Sequence, residues 1–390
     1  MALSLDPEIA EALAPMAGAM ADATPPAVGD IEGRRALWEP IINGAGTAQP
    51  IPADVQTSEH HTTAGDGARI TMRWYTKDGA APGPAVLFFH GGGYIFGHID
   101  LFDGPISRYV SASGVPMLSV QYRRAPEHPF PTPLEDAYTA LRWLHAHAAE
   151  LGIDPDRIGV MGDSAGGGMA AGLTILARER GGPKIARQIL LMPMLDDRTT
   201  TTPDPHIAPY VLWSYDDSLT AWPALLGEAA GGPDVPATAA PARLEDATGL
   251  PPAYIEVGQL DLFRDEDTAY ATKLSRAGRI PPAPRRPARV RLHRLHLRCR
   301  PPRHRRPRPG PEVDLSRHRA RSPCAAGEVR KPATQAAPAP TPCAMAPLGH
   351  RQEQTEAPRG RAGLPRRAAS TSMAGRLPGR MPAAQHLILT

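Results

Sequence analysis

Cysteine is missing from the first 278 of the 390 residues, and Phe, Trp and Tyr are missing from everything after them. The first absence excludes a disulfide framework there and makes the cytoplasm the expected compartment. The second means that two compositions have been joined: all twenty aromatic residues lie before position 279, and Cys299, Cys324 and Cys343 all lie beyond it. Charge divides at the same place. Residues 279–390 carry 24 Lys and Arg against 5 Asp and Glu, whereas residues 1–278 carry 19 against 35, so the overall net charge of +3 describes neither part. No apolar run reaches the length of a membrane span, and the start, MALSLDPEIAEALAPMAGAM, has no basic leader, so neither a transmembrane helix nor a secretory signal is expected. An apolar fraction of 42% is ample for a core.

At the N-terminus, Asp6 is placed to cap a helix with Pro7 in its first turn, and Ile9, Leu13, Met16 and Met20 recur on one face. From Val55 the pattern changes to extended runs, Val55 to Thr63 and Arg69 to Thr76, separated by Gly65 and Gly67 as in a hairpin. Ala85 to Phe89 is apolar without alternation, as in a strand buried on both faces of a largely parallel sheet. Strands at Pro116 to Gln121, Ile158 to Met161, Gln188 to Met192 and Ala253 to Val257 then alternate with helices at about 134–150, 165–180 and 265–277. That alternation predicts an α/β architecture. Residues 197–245 interrupt it around one compact piece, PYVLWSYDDSLTAWPALLG, which reads as an insertion over the active face.

Two glycine-rich junctions carry chemistry. In GVMGDSAGGGMAAGL the strand ending at Met161 meets a helix through Gly162 and Gly166, so Ser164 sits at a sharp strand-to-helix turn, the context of a nucleophile elbow. The Ala165 amide at the helix start then faces any oxyanion formed there. An ordinary glycine turn has the same letters. His90-Gly91-Gly92-Gly93, directly after a buried strand, exposes backbone amides with no side chains in the way, as an oxyanion site requires; a flexible loop is the plainer alternative. Asp261 follows the Ala253 strand and suits either the orientation of an imidazole or the capping of the next helix, a task Asp265 could share.

HGGG at 90–93, YRRAPEHPFP at 122–131, GDSAG at 162–166 and DLFRDE at 261–266, in that order, resemble the bacterial hormone-sensitive-lipase-like family of α/β-hydrolases up to about residue 278. Leu262 departs from the proline common in that family. The resemblance implies a mostly parallel, eight-stranded sheet flanked by helices, with residues 1–50 and 197–245 forming a helical cap on a core of 51–196 and 246–278. It implies a serine carboxylesterase for short- to medium-chain esters: Ser164 as nucleophile, Asp261 as triad acid, and Gly92, Gly93 and Ala165 as oxyanion donors. Trp213 and Trp222, by their place in the insertion, are expected to line the substrate pocket. No cofactor or metal is called for. The expected partner is a small ester, with no nucleic acid and no membrane span, and a homo-oligomer is compatible with the sequence.

The third triad member is where the chain departs from the family. A histidine should follow the acid by roughly thirty residues, on a loop after one more buried strand. Residues 279–310 read RIPPAPRRPARVRLHRLHLRCRPPRHRRPRPG instead, which offers His293 and His296 at about that distance but no apolar strand to hold them. A basic anion-binding tail and a disordered appendage are two readings of residues 279–390. The preferred one is a frame slip near codon 278, since Arg, Pro, Ala and Gly are the residues a GC-rich gene yields out of frame. A non-catalytic, ligand-binding relative is the alternative function. A peptidase would share GxSxG but leave HGGG without a role.

Overall fold

The computed structural model describes residues 24–280, apart from 48–49, 78, 80–82 and 200–202, together with scattered positions between 4 and 14. At the N-terminus the Asp6 carboxylate accepts from the Glu8 amide at 2.8 Å, as a capping residue does, while Ile9, Leu13, Met16 and Met20 lie outside the described residues. His293, His296 and the rest of the basic segment also lie outside them.

The described strands form one seven-stranded sheet in the order β1-β2-β4-β3-β5-β6-β7. Strands β1 (Val55–Thr63) and β2 (Arg69–Lys77) are antiparallel, as are β2 and β4 (Met117–Gln121). From β4 onward, through β3 (Gly83–Phe89), β5 (Ile153–Asp163), β6 (Arg187–Leu191) and β7 (Ala253–Glu256), every pairing is parallel. This is the fold class expected. The eighth strand implied by the resemblance would follow residue 280.

β3 shows why its sequence lacks alternation: Ala85, Leu87 and Phe89 enter the larger core cluster, while Val86 and Phe88 enter a second cluster on the opposite face. That second cluster is closed by Phe102, Ile106 and Val110, the last two from α2 (Asp103–Ser113). Helices α3 (Thr132–Ala146) and α4 (Ala165–Glu179) cover the first face. In α4 every residue from Ala165 to Ala177 is buried, which accounts for its run of small side chains. Helix α3 stops four residues short of the expected Glu150. There the chain turns through Gly152 at φ 65° and enters β5 at Ile153, five residues earlier than expected, pairing with Gly83.

Helix α1 (Ile31–Thr47) and helix α5 (Tyr215–Leu226) lie against each other. The Arg34 guanidinium, 1% exposed, donates to the Asp217 carboxylate at 2.8 Å, and the Gly29 amide donates to Thr220 Oγ1 at 2.9 Å. Helix α6 (Arg264–Arg276) closes the described fold behind β7. Among the described residues no helix is long and apolar enough to cross a membrane.

Candidate active site

Parallel strands place their carboxyl ends on one edge, where α/β sheets bind ligands. Phe89 of β3 is in register with Gly162 of β5, so the glycine loop begins beside the elbow. Asp163 pairs with Leu191 and Leu191 with Glu256, so β6 stands between Ser164 and the segment that leads to Asp261.

Ser164 has φ 53° and ψ −119°, a conformation costly for any residue with a side chain. It persists because its neighbours over-determine it. The Ser164 amide donates to the Leu191 carbonyl at 2.9 Å, and its carbonyl accepts from the Gly168 and Met194 amides at 3.0 and 2.9 Å. A Cβ on Gly162 would collide with the Gly166 carbonyl, and one on Gly166 with the Phe89 carbonyl. Only glycine at both positions lets the chain double back. Beside the elbow, a Cβ on Gly91 would come within 3.5 Å of Ser164 Cβ. The amides of Gly92, Gly93 and Ala165 meet no protein acceptor among the described residues and so remain available to an oxyanion.

His90 does not serve as a base. It is fully buried, stacked on Tyr122 at 4.3 Å, and its Nδ1 donates to the Gly91 carbonyl at 2.8 Å; burial pushes its pKa down to about 3. Tyr122 in turn donates to the His90 carbonyl at 2.8 Å, which ties the loop to the end of β4. Asp163, against Gly91, is pushed up to about 7 by burial.

Asp261 is held by a turn in which its Oδ1 accepts from the Phe263 amide at 2.8 Å, and burial raises it to about 6. Asp265, expected to share the capping of the following helix, pairs with Arg264 at 2.7 Å instead. None of the eight described histidines hydrogen-bonds to Ser164 or Asp261. His145 and His147 are half-buried: the first meets the Lys184 carbonyl at 3.0 Å and the second stacks on Trp143.

The two tryptophans of the insertion part company. Trp222 is 2% exposed, a core residue against Tyr94. Trp213 stands over the glycine loop, its Cζ2 2.6 Å from where a Gly93 Cβ would be, and it meets Trp38 of α1 and Phe96. Sequence reading passed over Trp38 and also Glu266, whose carboxylate accepts from the Leu195 and Asp196 amides at 2.6 and 3.2 Å and from Thr199. Glu266 thereby anchors the loop whose Met194 supports Ser164. The DLFRDE motif was its only signal. An open groove of about 680 Å³ between the β1–β2 turn and α3 contains neither Ser164 nor Asp261.

A family model described as the alpha/beta hydrolase fold matches residues 86–281, half of the chain and all of this edge. The chain belongs to the α/β-hydrolase fold family. The carboxylesterase NlhH of Mycobacterium tuberculosis is 40% identical to this chain over 199 residues, which cover 50% of this chain and 61% of the relative. The esterase LipI of the same organism is 39% identical over 203 residues, 51% and 62% of the two chains. The chain thus spans about three fifths of the length of these curated relatives. The solved structure of a bacterial heroin esterase superposes with a TM-score of 0.63 and 38% identity, covering 71% of this chain and 86% of that one. Such relatives accord with the hormone-sensitive-lipase-like resemblance.

Proposed function

We propose that this α/β hydrolase is a serine carboxylesterase by ancestry, built to cleave short- to medium-chain esters through an acyl-enzyme at Ser164. The observation that carries the reading is the pairing of a strained serine at the end of β5 with three unclaimed amides beside it. In the first step Ser164 Oγ bonds to the ester carbonyl carbon, and the amides of Gly92, Gly93 and Ala165 take the resulting oxyanion. The tetrahedral adduct then expels the alcohol, which leaves with a proton. Water repeats the sequence on the acyl-enzyme and frees the acid. Trp213, over Gly93, bounds the acyl side of the cleft.

Both steps need an imidazole to take and return the Ser164 proton, oriented by Asp261. The described residues supply none, and the family match ends at 281, where the composition changes. We therefore propose that the chain as written acylates slowly, with the coding frame displaced near codon 278. The described structure offers a place for the strand that a restored frame would encode: the Ala253 amide, on the free edge of β7, already donates to the Arg279 carbonyl at 2.8 Å, as in the first rung of a further pairing.

Sequencing the gene across codon 278 and expressing the frame shifted by one or two bases tests this. The restored protein is expected to hydrolyse p-nitrophenyl acetate faster by a factor on the order of 10⁴, the usual cost of a disabled triad, and to be more soluble. Truncation at residue 278 is expected to rescue neither property. Ordinary esterase turnover by the unaltered, monomeric 390-residue chain would reject the impairment, and mutation of His293 and His296 would then identify the base.

A further inference from the structure

The glycine loop does not hold its shape alone. The Ile95 and Phe96 amides both donate to the Gly92 carbonyl at 3.0 Å, and the Ala125 amide donates to the Tyr94 carbonyl at 3.0 Å, so the segments 92–96 and 125–127 are joined edge to edge. Over that seam lies Arg35 of α1. Its Nε donates to the Ile95 carbonyl at 2.8 Å, and one terminal nitrogen donates to the Ala125 carbonyl at 3.1 Å. The two terminal nitrogens also grip the Glu127 carboxylate at 2.7 and 2.8 Å, and one reaches Glu32 at 2.8 Å. The Arg35 bond holds Glu127 down to about 2, so this pair is ionised at every working pH. One turn further along α1, Trp38 stacks on Phe96, while Glu39 pairs with Arg124, whose guanidinium donates to the Gly97 carbonyl at 2.9 Å.

We infer that Arg35 is a positioning residue for acyl transfer: by fixing the Ile95 and Ala125 carbonyls it aims the Gly92 and Gly93 amides at the developing oxyanion, which makes acylation depend on α1 being seated. The inference rests on the esterase reading for its kinetic part. A guanidinium suits the task because its planar fork serves two carbonyls and a carboxylate at once, whereas an ammonium offers a single point of attachment. The effect is felt in the transition state more than in binding, since only the developing oxyanion demands tight aim from those amides.

The test uses the full 390-residue chain. Acylation of Ser164 by p-nitrophenyl acetate is followed by intact mass over a range of ester concentrations, in parallel with hydrogen exchange of the peptide covering residues 90–97. Arg35→Met is expected to lower the maximal acylation rate about tenfold with little change in half-saturating ester, a size consistent with small misplacement of oxyanion donors. Arg35→Lys should recover part of the loss, and Glu127→Gln should lose about threefold by weakening the same clasp. Exchange in 90–97 should quicken in Arg35→Met while the elbow peptide 159–170 keeps its protection. Equal acylation rates in the parent and Arg35→Met overturn the role given to Arg35. A parent that forms no adduct at Ser164 refutes the esterase reading instead, and exchange then decides: faster exchange confined to 90–97 supports the clasp, and unchanged exchange rejects it.

Discussion

The two ends of the candidate active-site edge are held in different ways. At the β3–β5 end the geometry is enforced by collisions and backbone bonds: Gly162, Gly166, Leu191 and Met194 leave Ser164 a single place to be. Buried groups without partners among the described residues occur at both ends, His90 Nε2 and Asp163 Oδ1 beside the elbow and a larger set at the β7–α6 end. Among the described residues, Asp267 is fully buried with neither carboxyl oxygen hydrogen-bonded, and Tyr270 Oη and Arg279 Nε are buried and unmet as well. Burial pushes Asp261 to about 6, Glu266 to about 8 and Asp267 well above its ordinary value. Among the described residues, the backbone groups that hold Ser164 all fall within residues 86–194.

The strongest way to break this comparison is at the β3–β5 end. Ser164→Ala is expected to abolish adduct formation and esterase turnover with the melting temperature nearly unchanged, because only a hydroxyl leaves a turn whose bonds are all backbone. A variant that keeps its activity would remove Ser164 from the site. Next comes the enforcement itself. Gly166→Ala should cost about 4 kcal/mol or more, read as lost solubility or a collapsed denaturation midpoint, since the added methyl meets backbone that cannot yield. A well-folded Gly166→Ala protein would show that the elbow is looser than its contacts imply.

The β7–α6 end makes a prediction about pH. Carboxyls that stay protonated in the fold but ionise in the unfolded chain leave stability intact below about pH 4 and withdraw it as pH rises toward about 8. The melting temperature should therefore fall over that interval. Asp267→Asn, which removes the charge and keeps the shape, should raise it by about 3 °C at pH 8 and leave it unmoved at pH 4. A flat profile in the parent chain would mean that these carboxyls have found cations. The smallest expected effect belongs to Trp213→Ala: a few-fold change in preference between acetyl and hexanoyl p-nitrophenyl esters, larger in proportion than any loss of stability. A melting temperature that collapses with acyl preference untouched would make Trp213 a core residue like Trp222.

The sequence disclosed the β3–β5 end well because its demands fall on adjacent residues. A turn that puts Cβ atoms into backbone carbonyls needs glycine at fixed spacing, and a strand buried on both faces needs an unbroken apolar run. Both are visible in fewer than ten letters. Arg35, Trp38 and Glu266 left no such trace, because each meets groups dozens of residues away and looks, in its own segment, like an ordinary helix residue. Trp213 and Trp222 share one short piece, and spacing alone could not say which would face the glycine loop and which the core. The end of α3 was overrun for a different reason: His145 to Glu150 has good helix-forming character, and the turn at Gly152 overrides it.

The contact between Arg34 and Asp217 bears on how the protein is made. Helix α1 leaves the ribosome early, yet the carboxylate that neutralises its buried guanidinium is synthesised 183 residues later. At ordinary translation speeds that is a wait of roughly 10 to 40 s, far longer than a helix or a small domain needs to form. Through that interval α1 carries an arginine whose buried partner has not yet been made. The seating of Arg34 thus waits until Asp217 emerges.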